Sequence, residues 1–337
     1  MAVLVKELLI FYLIMINNRV EFIDYTKGIA ILLMIISHCV VGYGPLKTWI
    51  SSFNMPIFFV ICGYLCYLKH PQGISLSRST SYLKKRVLNL WKPYIIFCFI
   101  LIAFFNALKF LSGASTTILP QIKNVIFLYG IESMWFLPVY FFSEFLFLLI
   151  TKELSLIKNT FLVISIIFTF IISGENFISG EFIQIKRCLV AYIFIYIGYI
   201  CGRYEIFFKF KSYPLLLLVL ITLFSVSSIR LGFSTMGFLN NPFLYFINGS
   251  ILCISILSIL NRILVKTNLI TKTLKYYGTN TIIILGTNNL LIEIIRLFDF
   301  YFTNNYLLNN GIQGGILFSF IIILLEIPFI ELIKGKL

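Results

Sequence analysis

Ten apolar runs, each near the length needed to cross a bilayer, constrain this chain more than any other feature. They cover residues 28–44, 50–68, 93–110, 134–151, 159–174, 188–203, 214–229, 243–260, 280–298 and 314–333. A spanning helix needs about 20 predominantly apolar residues. Lipid-facing strands would instead alternate apolar and polar residues with a period of two. A run such as Pro214-Leu215-Leu216-Leu217-Leu218-Val219-Leu220-Ile221 does not alternate. Helices satisfy every backbone group within one segment, which lipid demands. The chain is predicted to be all-α, a polytopic integral membrane protein of about ten transmembrane helices.

The charges test that count. Lys and Arg number 27 against 13 Asp and Glu, a formal net charge of +14. In a soluble domain such an excess points to nucleic acid. Here 60% of residues are hydrophobic and only 12% charged, against about 25% charged in an ordinary soluble domain. The basic excess therefore reads as loops held on the cytoplasmic side, with the lipid bilayer as partner and no nucleic acid. With the N-terminus inside and the runs alternating, 20 of the 27 basic residues fall inside. Seven (Lys47, Lys109, Lys123, Lys186, Arg187, Arg230 and Arg296) fall outside. The expectation is a multi-pass protein of the cell (plasma) membrane with both termini cytoplasmic. Residues 1–18 read as an N-terminal extension: residues 8–16 are apolar but too short to cross. They are either an interfacial segment or lie upstream of a start at Met15. Residues 19–337 read as a single transmembrane domain.

Polar side chains inside spans are costly and are functional candidates by default. His38 lies eleven residues past Lys27, about 16 Å along a helix. With Lys27 at the cytoplasmic edge, the ring is expected near mid-membrane, where imidazole can exchange a proton near neutral pH. The plainer reading is a histidine satisfying a buried hydrogen bond. Asp24 and Lys27, three apart, share a helical face, as an ion pair or as an interfacial anchor. Asn54 precedes Pro56 at the second span, either as a ligand contact or as a helix cap. Gly63 allows another helix to approach closely. Lys84, Lys85 and Arg86 lead into the third span, a cluster suited to anionic lipid or to the phosphates of a nucleotide-bearing molecule. Glu144, Glu293, Arg296, Asp299, Glu326 and Glu331 suggest a proton relay or a solvated cavity. The seven cysteines sit in or beside apolar runs. Only Cys62 and Cys66 are close, and neither a disulfide framework nor a metal site is expected.

These residues resemble a known family. Arg19-Val20-Glu21-Phe22-Ile23-Asp24-Tyr25-Thr26-Lys27-Gly28 through His38 is similar to the opening motif of the acyltransferase-3 family, a basic residue and a histidine separated by ten. Phe53-Asn54-Met55-Pro56-Ile57-Phe58-Phe59 with Gly63-Tyr64 resembles its second motif. Tyr82-Leu83-Lys84-Lys85-Arg86 with Pro93-Tyr94 resembles the third. Trp135-Phe136-Leu137 and Tyr277-Gly278-Thr279-Asn280-Thr281 resemble later ones. Three positions depart from the pattern. Asn54 stands where many members have His, Arg86-Val87-Leu88-Asn89 replaces Arg-x-x-Arg, and Thr287-Asn288-Asn289 lacks a late histidine.

The resemblance implies an O-acyltransferase. It would move an acetyl (acyl) group from acetyl-CoA, or another acyl-CoA, to a hydroxyl of a cell-surface polysaccharide or its lipid-linked sugar precursor. On this reading His38 is the general base or an acyl carrier, with Asp24 and Lys27 orienting the donor. Arg86, Lys85 and Lys84 hold CoA phosphates, and Asn54 and Trp135 line the pocket. No metal is called for. The competing reading is a secondary transporter or polysaccharide flippase, which also suits ten spans. The inverted repeats common in transporters are not visible in the sequence.

Overall fold

A computed structural model describes residues 21–39, 45–75, 79–174, 182–209, 212–225, 241–263, 268–302, 305–309 and 311–336. The expectations for residues 1–18 lie outside this set. Helices run in order as α1 (Glu21–Cys39), α2 (Pro45–Phe53), α3 (Pro56–Lys69), α4 (Ser79–Leu111) and α5 (Ile118–Ile126). A 3-10 turn at Glu132–Trp135 leads into α6 (Phe136–Glu153), followed by α7 (Leu156–Ser173), α8 (Ile183–Arg203) and the short α9 (Ile206–Lys209). Then come α10 (Ser212–Ser225), α11 (Pro242–Ile263), α12 (Leu269–Thr279), α13 (Thr281–Phe302), the short α14 (Tyr306–Asn309) and α15 (Gly311–Ile333). No strand occurs among the described residues. Nine segments are long and apolar enough to cross a membrane among those residues. The seventh apolar run is α10, described only as far as Ser225. The protein is an all-α polytopic membrane protein.

Two spans depart from simple rods. The second is broken into α2 and α3 at Asn54–Met55. Pro56 lacks an amide hydrogen and suits a helix start, and the Asn54 Oδ1 accepts from the Met55 amide at 2.8 Å. In the third, the basic cluster is not in a loop. α4 runs unbroken for 33 residues through Pro93, so Lys84, Lys85 and Arg86 stand on the same rigid helix that crosses the membrane.

Lipid offers helices no hydrophobic drive to associate, so close backbone packing must hold them. Glycines supply it at two seams. A Cβ on Gly63 of α3 would lie 1.8 Å from the Ile195 carbonyl oxygen of α8, and one on Gly198 would lie 1.9 Å from that of Val60. The same reciprocity joins α1 to α12, where a Cβ on Gly28 would meet the Leu274 carbonyl at 2.1 Å and one on Gly278 that of Asp24 at 1.8 Å. Lys275 of α12 adds an ion pair with Glu21 at 2.6 Å. Asn280 ends α12 by donating to the Tyr276 carbonyl at 2.8 Å. The Gly278-Thr279-Asn280 motif is therefore structural: it fixes the first turns of α1. Helices α1, α3 and α8 are mostly buried, whereas α7 and α15 present most of their surface outward.

Candidate functional site

Eleven residues are close to three helical turns, so Lys27 and His38 lie on one face of α1, with Ile31 and Met34 between them. That face is hollow. Lys27, Ile31 and Met34 line an inner cavity of about 170 Å³ whose other walls include Met55, Phe58, Phe136, Leu137 and Leu285. The cavity is largely apolar and ends one turn below His38. Its lower end shares Lys27, Arg86 and Tyr140 with a larger vestibule of about 480 Å³. The vestibule opens on the side that the charge distribution assigns to the cytoplasm, and Lys69, His70, Lys85 and Glu144 also line it.

Two of the vestibule cations, Arg86 and Lys27, have an acidic partner. Arg86 of α4 is paired with the buried Glu144 of α6, and its guanidinium lies against the rings of Tyr82 and Tyr140, at 6.0 and 5.8 Å. Glu144 thus positions an arginine. Asp24, buried at the α1–α12 seam, lies 3.9 Å from the Lys27 ammonium. Lys85 lines the vestibule, whereas Lys84 is exposed and is not on its wall: consecutive residues are rotated by about 100° around a helix.

His70, just past the end of α3, stands at the vestibule rim with its ring edge-on to Tyr82 at 5.7 Å. Burial and the neighbouring Lys69 hold its pKa below the usual 6.5, with Arg86 acting the same way and Glu144 opposing them. A group whose folded pKa is depressed in this way is neutral in the folded state while the unfolded chain takes up a proton. Stability is lost as pH falls from 6.5 toward the folded value. The Tm of the wild type is expected to drop over that window, and His70→Gln should flatten the slope; an unchanged slope in the variant would contradict this assignment.

His38 lies in the same helix as Lys27, about 16 Å farther along its axis. α1 already begins at Glu21, so Lys27 is nearly two turns inside it. His38 is in the last described turn, about 25 Å from Glu21 along the axis at 1.5 Å per residue. The ring is exposed, although its neighbours Ser37 and Cys39 are buried. Lys47 and Arg296 are the charges that act on it. Arg296 pairs with Glu293 at 2.6 Å, and the same two residues act on Glu132, which accepts from Asn289 at 3.5 Å. A polar outer cluster thus caps the apolar cavity.

Asn54 and Trp135 are buried one residue away from the cavity wall, which their neighbours Met55 and Phe136 form. The Trp135 indole carries the guanidinium of Arg187 at 4.3 Å. Glu326, also buried, accepts from the Thr287 hydroxyl at 2.7 Å and so joins α15 to α13. Asp299 accepts the Leu307 amide at 3.1 Å and Glu331 accepts from Tyr276 at 2.8 Å; both secure helix ends. Asn288 is fully buried with both side-chain polar atoms unpartnered. Cys62, Cys66 and Glu144 bring three ligand atoms within 4.8 Å of one another. The Arg86 guanidinium pairs with Oε1 of that carboxylate, and its positive charge opposes a cation there.

A family model described as an acyltransferase domain matches residues 20–330. Neither the curated proteins nor the solved structures contain a match. The matched stretch covers α1 to α14, most of α15 and both cavities, and it favours an enzyme over a transporter. Running from the residue before α1 into the last helix, it shows that this multi-pass membrane protein belongs to the acyltransferase-3 family of acyltransferases.

Proposed function

We propose that the protein takes an acetyl group from cytoplasmic acetyl-CoA and delivers it to a hydroxyl of a cell-surface polysaccharide or its lipid-linked precursor, with His38 as general base. The observation that carries this reading is the continuous hollow along one face of α1, cationic at Lys27, Lys85 and Arg86 and apolar from Ile31 to Met34. CoA has the matching polarity: phosphates at one end, then a narrow arm ending in the thioester. Phosphates bind best to ammonium and guanidinium groups. The arm then extends through the apolar cavity toward His38. At the outer cluster His38 accepts the hydroxyl proton. The hydroxyl oxygen bonds to the acyl carbon, the carbon–sulfur bond breaks, and the imidazolium returns the proton to the departing thiolate. Apolar walls keep water from the thioester before an acceptor arrives.

The test is mass spectrometry of surface glycans from cells with and without the gene. Glycans from cells with the gene are expected to carry the mass increment of acetyl replacing hydrogen. Identical glycan masses in the two strains would overturn the reading.

A further inference from the structure

A third cavity lies apart from the donor path. Helices α4 and α13 touch where the Phe97 ring lies against Gly286, so closely that a Cβ there would be 2.3 Å from the ring. Beyond that point, toward the outer face, they separate around a cleft of about 550 Å³. Leu108 of α4 and Leu297 and Tyr301 of α13 form its apolar walls, and Lys109 and Glu132 also line it. Its lining residue Leu111 is exposed, as are Phe110, Phe298 and Phe302 on the same two helices. Glu132 is held at φ +50°, in the left-handed region that non-glycine residues adopt at a cost. It belongs both to the cleft and, through Glu293 and Arg296, to the cluster around His38. Lys109 donates to the Thr117 hydroxyl at 2.8 Å, and no carboxylate pairs with it among the described residues.

We infer that this cleft is the acceptor's entrance, and that it takes a lipid-linked sugar phosphate sideways from the outer half of the bilayer. The inference rests on the proposed acyl transfer and narrows its acceptor to the membrane-bound one. A wholly water-soluble glycan has no reason to approach through an apolar opening at lipid depth. An amphiphile leaves its chain against Leu108, Leu297 and Tyr301, sets its phosphate on the Lys109 ammonium and presents sugar hydroxyls to Glu132, on the way to His38.

Binding of undecaprenyl phosphate to the purified full-length protein in phosphatidylcholine nanodiscs tests this. Leu297→Trp and Leu108→Trp fill the cleft from opposite walls, and Lys109→Gln removes the cation. Each filling variant is expected to weaken binding tenfold or more, and Lys109→Gln several-fold. Acetyl-CoA binding, which is read on the other face, also reports folding and should stay at the wild-type value. Cells carrying a filling variant should lose O-acetylation. Undecaprenyl phosphate bound equally well by both filling variants would overturn the inference. So would equal displacement of the probe by phosphatidylglycerol (a headgroup effect only) or by inorganic phosphate. If the wild type fails to bind acetyl-CoA, the donor reading has failed instead, and the lipid-binding result stands or falls separately.

Discussion

Replacing His38 with alanine is expected to lower acyl transfer at least a hundredfold while leaving acetyl-CoA binding intact. Loss of a positioned general base typically costs about 10²–10⁴-fold in rate. The ring lies one turn beyond the end of the hollow that is opposite the vestibule cations, so its removal should act on kcat with little effect on KM for the donor. Lys27→Gln should do the reverse, since Lys27 lines both vestibule and inner cavity three turns below. The contrast separates chemistry from donor binding on a single helix face. It also bears on the order of events: if His38 carries the acyl group, brief incubation of the wild type with labelled acetyl-CoA and no acceptor leaves label on the protein, and His38→Gln leaves none. Normal O-acetyl content in cells expressing His38→Ala would remove the histidine from the reaction altogether.

Much of this was legible in the sequence, and the reasons are specific. The spacing of Lys27 and His38 encodes their shared face, because eleven residues nearly close three turns. The apolar runs encode the spans because lipid leaves the backbone no alternative to helices. Gly63 announced a close helix seam, and Ile195 of α8 fills it. What stayed hidden depends on where helices start and on what faces them. The apolar run from residue 28 hid the helical turns before it, because the first turn, from Glu21 to Asp24, looks polar. It is helical because Lys275 and Gly278 of α12 dock against it, some 250 residues away in sequence. Glu144 read as part of a proton relay or a solvated cavity because its partner Arg86 lies on another helix. Lys84 and Lys85 look equivalent in a string but point in different directions once α4 is continuous. His70 is brought to the vestibule by the end of α3, which no local pattern announces. The outer cleft had no linear signal at all, since Leu108, Glu132 and Leu297 meet only through the divergence of α4 from α13.

The pairing of Arg86 with Glu144 makes the second large prediction, because one side chain serves two ends. Arg86→Ala leaves the Glu144 carboxylate buried without its counter-charge. Breaking a fully buried pair costs about 3–5 kcal/mol. Here the arginine side chain is 28% exposed and the glutamate 7%, so vestibule water screens part of the loss and roughly 2–3 kcal/mol is expected. Arg86→Ala should also raise KM for acetyl-CoA tenfold or more, since a hydrogen bond to a charged group contributes about 1.5–3 kcal/mol. The double variant Arg86→Ala with Glu144→Gln separates the two effects. It removes the stranded charge and should recover most of the lost Tm, yet it still lacks the guanidinium and should keep the raised KM. Two measurements on three proteins, thermal unfolding in detergent and initial rates against acetyl-CoA, decide the matter. If the double variant recovers KM together with Tm, Arg86 only ties α4 to α6, and the phosphates must then rest on Lys27, Lys69 and Lys85, the other cations that line the same vestibule.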